Sequence, residues 1–255
     1  MLKAYCLELS FYGGKYYGTQ RQSSLPSVQK TLEKALNTMS KKDISVRMAS
    51  RLDAGVSARQ YFASFEMEDV MSPRKIKEVL NHGLRDEDII VKDVKEVPLS
   101  FDVRRDAYLK TYSYTLDLGK KDPLKDFLAW VPSPLIKDKE LFKKTMALFA
   151  GEHDFSFFIK KDKDETEVPF KRIERIWFKE AGEYLSVFVT GHAFGRHQIR
   201  LMVGCAYLVS IKKNDINEVE KCLNGEKFTL FPYLAPGNGL VLEKISYDKK
   251  WGKEE

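Results

Sequence analysis

The order in which apolar spacing changes along the N-terminal part of the chain constrains the fold more than any other feature. Ala4 to Phe11 alternates as a strand does, and Gly13-Gly14 ends it. Ser27 is placed to cap a helix whose Val28, Leu32, Ala35, Leu36 and Met39 fall on one face. A strand then runs into Arg51–Asp53, and Gln60 to Glu66 leaves as another. Ser72-Pro73 opens a second helix, with proline where its missing N–H is not needed. Ile76, Val79 and Leu80 form its apolar face, and Gly83 is placed to end it. Ile89 to Val97 reads as a further strand. Strand, helix, strand, strand, helix, strand is the split β-α-β order of ferredoxin-like domains.

Phe101 to Asp106 links this half to a second. From Ala107 to Leu118, Tyr108, Lys110, Tyr112, Tyr114 and Leu116 share one face, with Leu109, Thr111, Ser113 and Thr115 on the other. Each tyrosine reads first as packing and second as a flat ring on which a base can stack. Asp138 is an N-cap for a helix striped by Leu141, Phe142, Thr145, Leu148 and Phe149, which Gly151 is expected to end. An aromatic patch follows to Phe158, then a run of charges from Lys160 to Glu167 that reads as a solvated loop. Arg172–Lys179 and Tyr184–Thr190 form a hairpin around Gly182. Ile199, Met202, Val203 and Ala206 have helical spacing, so His197 and Arg200 lie near that helix's start. Positive charge there opposes the macrodipole, which points to a carboxylate or phosphate partner. A short helix from Asp215 to Leu223 and a strand from Gly239 to Tyr247 complete the pattern. It reads as two α+β halves, 1–105 and 106–248, with a polar tail at 249–255.

Composition narrows the class. A chain of 255 residues with 43% hydrophobic and 31% charged residues has enough apolar material for packed cores and is not a disordered protein. Its net charge of +6 suits a polyanionic partner. Cys6, Cys205 and Cys222 sit in apolar surroundings, as free thiols of a reducing cytosol do, and show no metal-ligand spacing. There is no phosphate-binding loop, dinucleotide fingerprint or cluster of metal ligands, which agrees with a reaction that needs neither cofactor nor metal. The first residues alternate like a strand and lack a signal peptide's apolar block, and no apolar run approaches membrane-spanning length. The expectation is a cytoplasmic protein without membrane contact.

The chemistry-bearing stretch is Ala49 to Arg59. Arg51 and Asp53 stand two apart, on one face of an extended segment, and Gly55 permits a sharp turn. A guanidinium beside a carboxylate favours the charged form, and such a carboxylate can act as a nucleophile. Taken alone, the segment reads first as an ordinary Arg–Asp pair holding a turn, and only second as a catalytic carboxylate.

Four segments in order resemble the TruA-type tRNA pseudouridine synthases. These are KYYGTQRQSSLPSVQKTLEKAL (Lys15 to Leu36), Arg51-Leu52-Asp53-Ala54-Gly55-Val56, Tyr112-x-Tyr114, and Ala193-Phe194-x-x-His197-x-x-Arg200-x-x-Val203-Gly204. Weaker similarity runs through Phe101–Arg104 and Gly151–Phe155. The resemblance implies the pseudouridine-synthase fold: two ferredoxin-like halves joined into one mostly antiparallel sheet, with helices packed on it and a central RNA-binding cleft. It implies Asp53 as nucleophile, Tyr112 stacked on the target base, and Arg200 pairing with the aspartate, which Arg51 or Arg200 would keep ionised. It also implies a homodimer acting on the tRNA anticodon stem-loop at positions 38–40. Lys15, Arg21, Gln22, Arg59, Arg104, His197 and the 160–167 loop are the candidate RNA contacts. Thr19 stands where that family usually has tryptophan. Ser50, Leu52 and Ser57 replace glycine, threonine and histidine, and Leu201 replaces asparagine; these positions bear on target choice or loop shape. The alternatives are a non-catalytic RNA-binding or RNA-folding relative, and a glycosidase. The intact Asp53–Arg51–Arg200 set argues against the first, and the want of a second carboxylate near Asp53 argues against the second.

Overall fold

Two units account for the computed structural model, which describes residues 1–68, 71–120, 127–160 and 170–247. One comprises Met1–Tyr108 with the chain from Val241, and the other Leu109–Leu240. Most of the charged 160–167 run and the 249–255 tail lie outside the described residues.

In the first unit β1 (Leu2–Phe11) pairs antiparallel with both β3 (Ser57–Glu68) and β4 (Ile89–Val97). The short β2 (Val46–Met48) pairs antiparallel with β3 on its other edge. The resulting order, β4-β1-β3-β2, follows from the connections the sequence pattern predicts. Helix α1 (Val28–Ser40) is capped by Ser27, whose hydroxyl accepts from Lys30 N at 3.3 Å. Helix α2 (Pro73–Gly83) is capped by Ser72, accepting from Lys75 N at 3.3 Å. Leu32 and Leu36 of α1, Ile76 and Leu80 of α2, and Tyr5, Leu7 and Leu9 of β1 are fully buried. Each such aliphatic side chain contributes roughly 1.5–3 kcal/mol by leaving water. The last strand, β9 (Leu240–Tyr247), joins β3 in parallel through Ser57↔Val241 and Ala58↔Leu242. Tyr247 donates to Val103 O at 2.7 Å and packs edge-on against Phe62. The C-terminal strand therefore counts with the first unit, whereas the 106–248 boundary placed it in the second half. A strand's own residues do not specify its partner.

The second unit holds an antiparallel sheet in the order β5-β8-β7-β6, formed by β5 (Ala107–Asp117), β6 (Gly151–Asp154), β7 (Phe170–Ala181) and β8 (Tyr184–Gly191). The alternation read in β5 and β8 is real. Tyr112, Tyr114, Leu116, Leu185, Val187 and Val189 are buried. On the other face Thr111 meets Thr190, and Thr115 meets Ser186, each at 2.8 Å. Helix α3 (Lys139–Ala147) is capped by Asp138, and α5 (Ile216–Leu223) by Asp215. Gly151 does not cap α3. The helix closes at Leu148 through tightened turns, and Gly151, at φ +105°, opens β6. Helix α4 (Gln198–Ser210) is buried nearly all round, with only Arg200 and Leu201 partly exposed.

Candidate active site

Asp53 lies on a loop between β2 and β3, not at a strand end. Residues 49–56 belong to neither strand, and their backbone groups are shared between strand β3, the turn itself and another loop. The Thr19 hydroxyl donates to Ser50 O at 3.0 Å and accepts from Leu52 N at 2.9 Å. Thr19 N donates to Leu52 O at 3.1 Å, and Gly55 N donates to Tyr16 O at 3.2 Å. On the sheet side, the Tyr61 hydroxyl accepts from Ser50 N at 3.0 Å and donates to Ser50 O. Val56 N donates to Asp53 O at 3.2 Å, closing a turn with Gly55 at φ +79°, a conformation that glycine adopts without strain. Gly18, at φ +105°, approaches so closely that a Cβ there would stand 2.6 Å from Leu52 O. Asp53 is half-buried and Arg51 exposed on this fixed frame.

Of the positions at which the chain departs from the resembled family, Thr19, Ser50 and Leu52 belong to this frame, Ser57 directly follows it, and Leu201 lies apart on α4. Thr19 is fully buried, and Leu52 and Ser57 are buried as well. The Ser57 hydroxyl accepts from Gly13 N at 2.9 Å. Sequence reasoning flagged these residues as substitutions and missed Tyr61 altogether, since its place in an alternating strand marks it only as core.

Three of the candidate RNA contacts in the first unit are held by carboxylates. Lys15 pairs with Asp88 at 3.0 Å and Arg59 with Glu243 at 3.2 Å, with both cationic side chains largely exposed. Arg21 reaches Glu33 with Nε at 2.9 Å and Nη2 at 2.6 Å. That carboxylate is buried, and it also accepts from Gln29 Nε2 and from Val46 N, each at 3.1 Å. The Gln22 amide donates to Tyr17 O at 2.6 Å. Arg104 is exposed. Its N–H and that of Arg105 donate to Asp102, and these bonds, Arg105's foremost, hold that carboxyl below its ordinary range.

In the second unit Phe194 packs against Tyr112. Its ring meets Tyr112 edge-on, with centroids 5.2 Å apart, and it precedes the turn that starts α4. In that turn His197 is the N-cap, at φ +63°, and the Gln198 side chain accepts from Gly195 N at 2.7 Å. Arg200 stands in the first helical turn and donates from Nε to Ala235 O at 2.7 Å, while Ala235 N donates to Arg200 O at 3.3 Å. The segment carrying Ala235 crosses α4 directly over Gly204, where a Cβ would fall 1.8 Å from Tyr233 O. Tyr114 is buried, with its hydroxyl on Pro236 O at 2.8 Å; burial pushes that phenol well above its ordinary range. Among the described residues no group of three or more His, Cys, Asp or Glu is arranged to hold a metal ion, and no helix is long and apolar enough to cross a membrane.

The first unit thus presents a half-buried carboxylate on a loop hydrogen-bonded through successive peptides, in a basic α+β chain. The chain belongs to the tRNA pseudouridine synthase family, a family of isomerases, whose model matches residues 9–106 and 145–248. It is 35% identical over 247 residues to tRNA pseudouridine synthase A of Dictyoglomus thermophilum, covering 94% of this chain and 98% of that one. The corresponding protein of Methylacidiphilum infernorum is 33% identical, covering 95% of each chain. That of Mycoplasmoides gallisepticum is 31% identical over 242 residues, covering 95% of this chain and 90% of that one. Asp53 and Arg200 lie within the matched spans, and Tyr112 lies between them.

Proposed function

We propose that the protein isomerises uridine to pseudouridine in the anticodon stem-loop of tRNA, at positions 38–40, with Asp53 as the nucleophile. The C1′–N1 bond of the uridine breaks, the freed uracil turns over, and C5 bonds to C1′. The C5 proton leaves and N1 becomes an N–H, so the product has the substrate's atoms and no electrons are exchanged. Asp53 adds covalently and is released at the end. The target base must leave its stack to reach a carboxylate, and Tyr112 holds the extruded ring by stacking. Arg51 or Arg200 supplies positive charge to the carboxylate. Lys15, Arg21, Gln22, Arg59, Arg104 and His197 serve as backbone contacts that position the RNA.

The observation that carries this reading is the family match across both units, together with an Asp53 loop fixed at every peptide from Ser50 to Val56. A cytoplasmic homodimer completes the proposal. Large exposed rings at Phe170 and Phe231 give a second copy apolar surface to cover, and light scattering tests it. The decisive experiment incubates the protein with unmodified tRNA transcripts and maps pseudouridine by position. Asp53→Asn should abolish the product while tRNA affinity stays near wild type. An unchanged yield in that variant removes Asp53 from the nucleophile's role, and product outside the stem-loop removes the assigned target.

A further inference from the structure

Thr19 bonds the three consecutive peptide planes that lead to Asp53. Its hydroxyl donates to Ser50 O, at 3.0 Å, in the plane joining residues 50 and 51. The same oxygen accepts from Leu52 N, at 2.9 Å, in the plane joining 51 and 52. Its backbone N–H donates to Leu52 O, at 3.1 Å, in the plane joining 52 and 53. With those planes held, the dihedral angles of Arg51 and Leu52 are fixed, and so is the position of the Asp53 Cα; the Val56 N–H on Asp53 O, at 3.2 Å, holds the plane that follows. Thr19 is itself anchored. Its carbonyl accepts from Gln29 N at 2.9 Å, and that of Gly18 from Val28 N at 3.3 Å, both amides of the first turn of α1. The residue is fully buried, so no water stands ready to replace the hydroxyl.

We infer that Thr19 is a positioning residue for the Asp53 carboxylate, acting through the backbone of residues 50–53 and not by touching substrate. The inference rests on the reading of Asp53 as the nucleophile. An indole cannot make this pair of bonds, since its N–H donates and accepts nothing, whereas one hydroxyl does both. The tryptophan expected at this position from the family resemblance is thus replaced here by a polar suture.

Thr19→Val keeps the shape and the backbone bond but removes both hydroxyl contacts; Thr19→Ser restores them. The expected result is a kcat lowered about 10- to 100-fold in Thr19→Val, the scale of a misplaced reacting group. The tRNA dissociation constant should stay within about twofold, and Thr19→Ser should return kcat to within about threefold of wild type. Tyr61→Phe, which frees Ser50 from the other hydroxyl but leaves all three planes on Thr19, should lose much less than Thr19→Val. Amide exchange of Leu52, read on the full-length protein, should be slow in wild type and Thr19→Ser. A wild-type kcat in Thr19→Val, no recovery in Thr19→Ser, an affinity loss matching the kcat loss, or an unprotected Leu52 amide in wild type would each overturn the inference. A wild-type protein that makes no pseudouridine would instead sink the proposed function, and Leu52 exchange would then decide the suture alone. The same exchange measurement decides it if Thr19→Val does not fold.

Discussion

Replacing Arg21 by alanine should destabilise the first unit through a carboxylate that the substitution does not touch. Glu33 has a side-chain exposure of 6%, and its Oε2 accepts two bonds, from Arg21 Nε and Nη2. Its Oε1 accepts from Gln29 and from Val46 N, which ties α1 to the strand preceding the Asp53 loop. Without Arg21 one carboxylate oxygen loses its partners, while the other remains satisfied. Removing one member of a fully buried pair costs about 3–5 kcal/mol. Arg21 is itself 59% exposed, so water can enter from its side, and the cost falls toward that of a charged hydrogen bond, about 1.5–3 kcal/mol. At about 2–4 °C per kcal/mol for a domain of 150–250 residues, the melting midpoint should drop by about 3–12 °C. Urea and thermal unfolding of wild type, Arg21→Ala, Glu33→Gln and the double variant measure the coupling directly. A coupling below about 0.3 kcal/mol, the ordinary error of additivity, would refute the account and leave Arg21 as surface charge.

Tyr112→Ala should lower pseudouridine formation far more than tRNA affinity, because a stacked base is worth about 1–3 kcal/mol to the reacting complex. Tyr112→Phe, which keeps the ring and the edge contact with Phe194, should retain most of the turnover; equal losses of turnover and affinity in the alanine variant would mark Tyr112 as packing. Burial raises the Cys6 and Cys205 thiols from an ordinary value of 9.0 to about 12. Unfolded thiols lose their protons first, so the native state binds more protons above pH 9, and stability should fall as pH rises from there toward 12. Urea midpoints across that range test the sign, and a flat profile contradicts it.

The elements read from the sequence are those whose causes are local. Ser27, Ser72, Asp138 and Asp215 cap the helices they precede because a short side chain reaches an amide two or three residues on. The faces of β5 and β8 follow from alternation alone. The misplaced features all depend on partners distant in the chain. Residues Gly151–Asp154 carry no apolar alternation, so β6 forms by pairing with β7 against their own pattern. The strand Leu240–Tyr247 joins the first unit because β3 offers it an edge at Ser57. The same division runs through the site. Asp53 and Gly55 announce a turn with a carboxylate, yet what fixes that turn is a hydroxyl more than thirty residues earlier and a phenol on the following strand. Arg21 shows the converse: a charge is visible in any sequence, and the partner that consumes it is not. Lys15, Arg21 and Arg59 each read as phosphate ligands, and each meets a carboxylate of its own unit. In the proposed role of these cations, RNA competes with those carboxylates for them. The increment of affinity per contact is therefore smaller than that of an unpaired lysine or arginine, and the salt dependence of tRNA binding should be correspondingly shallow.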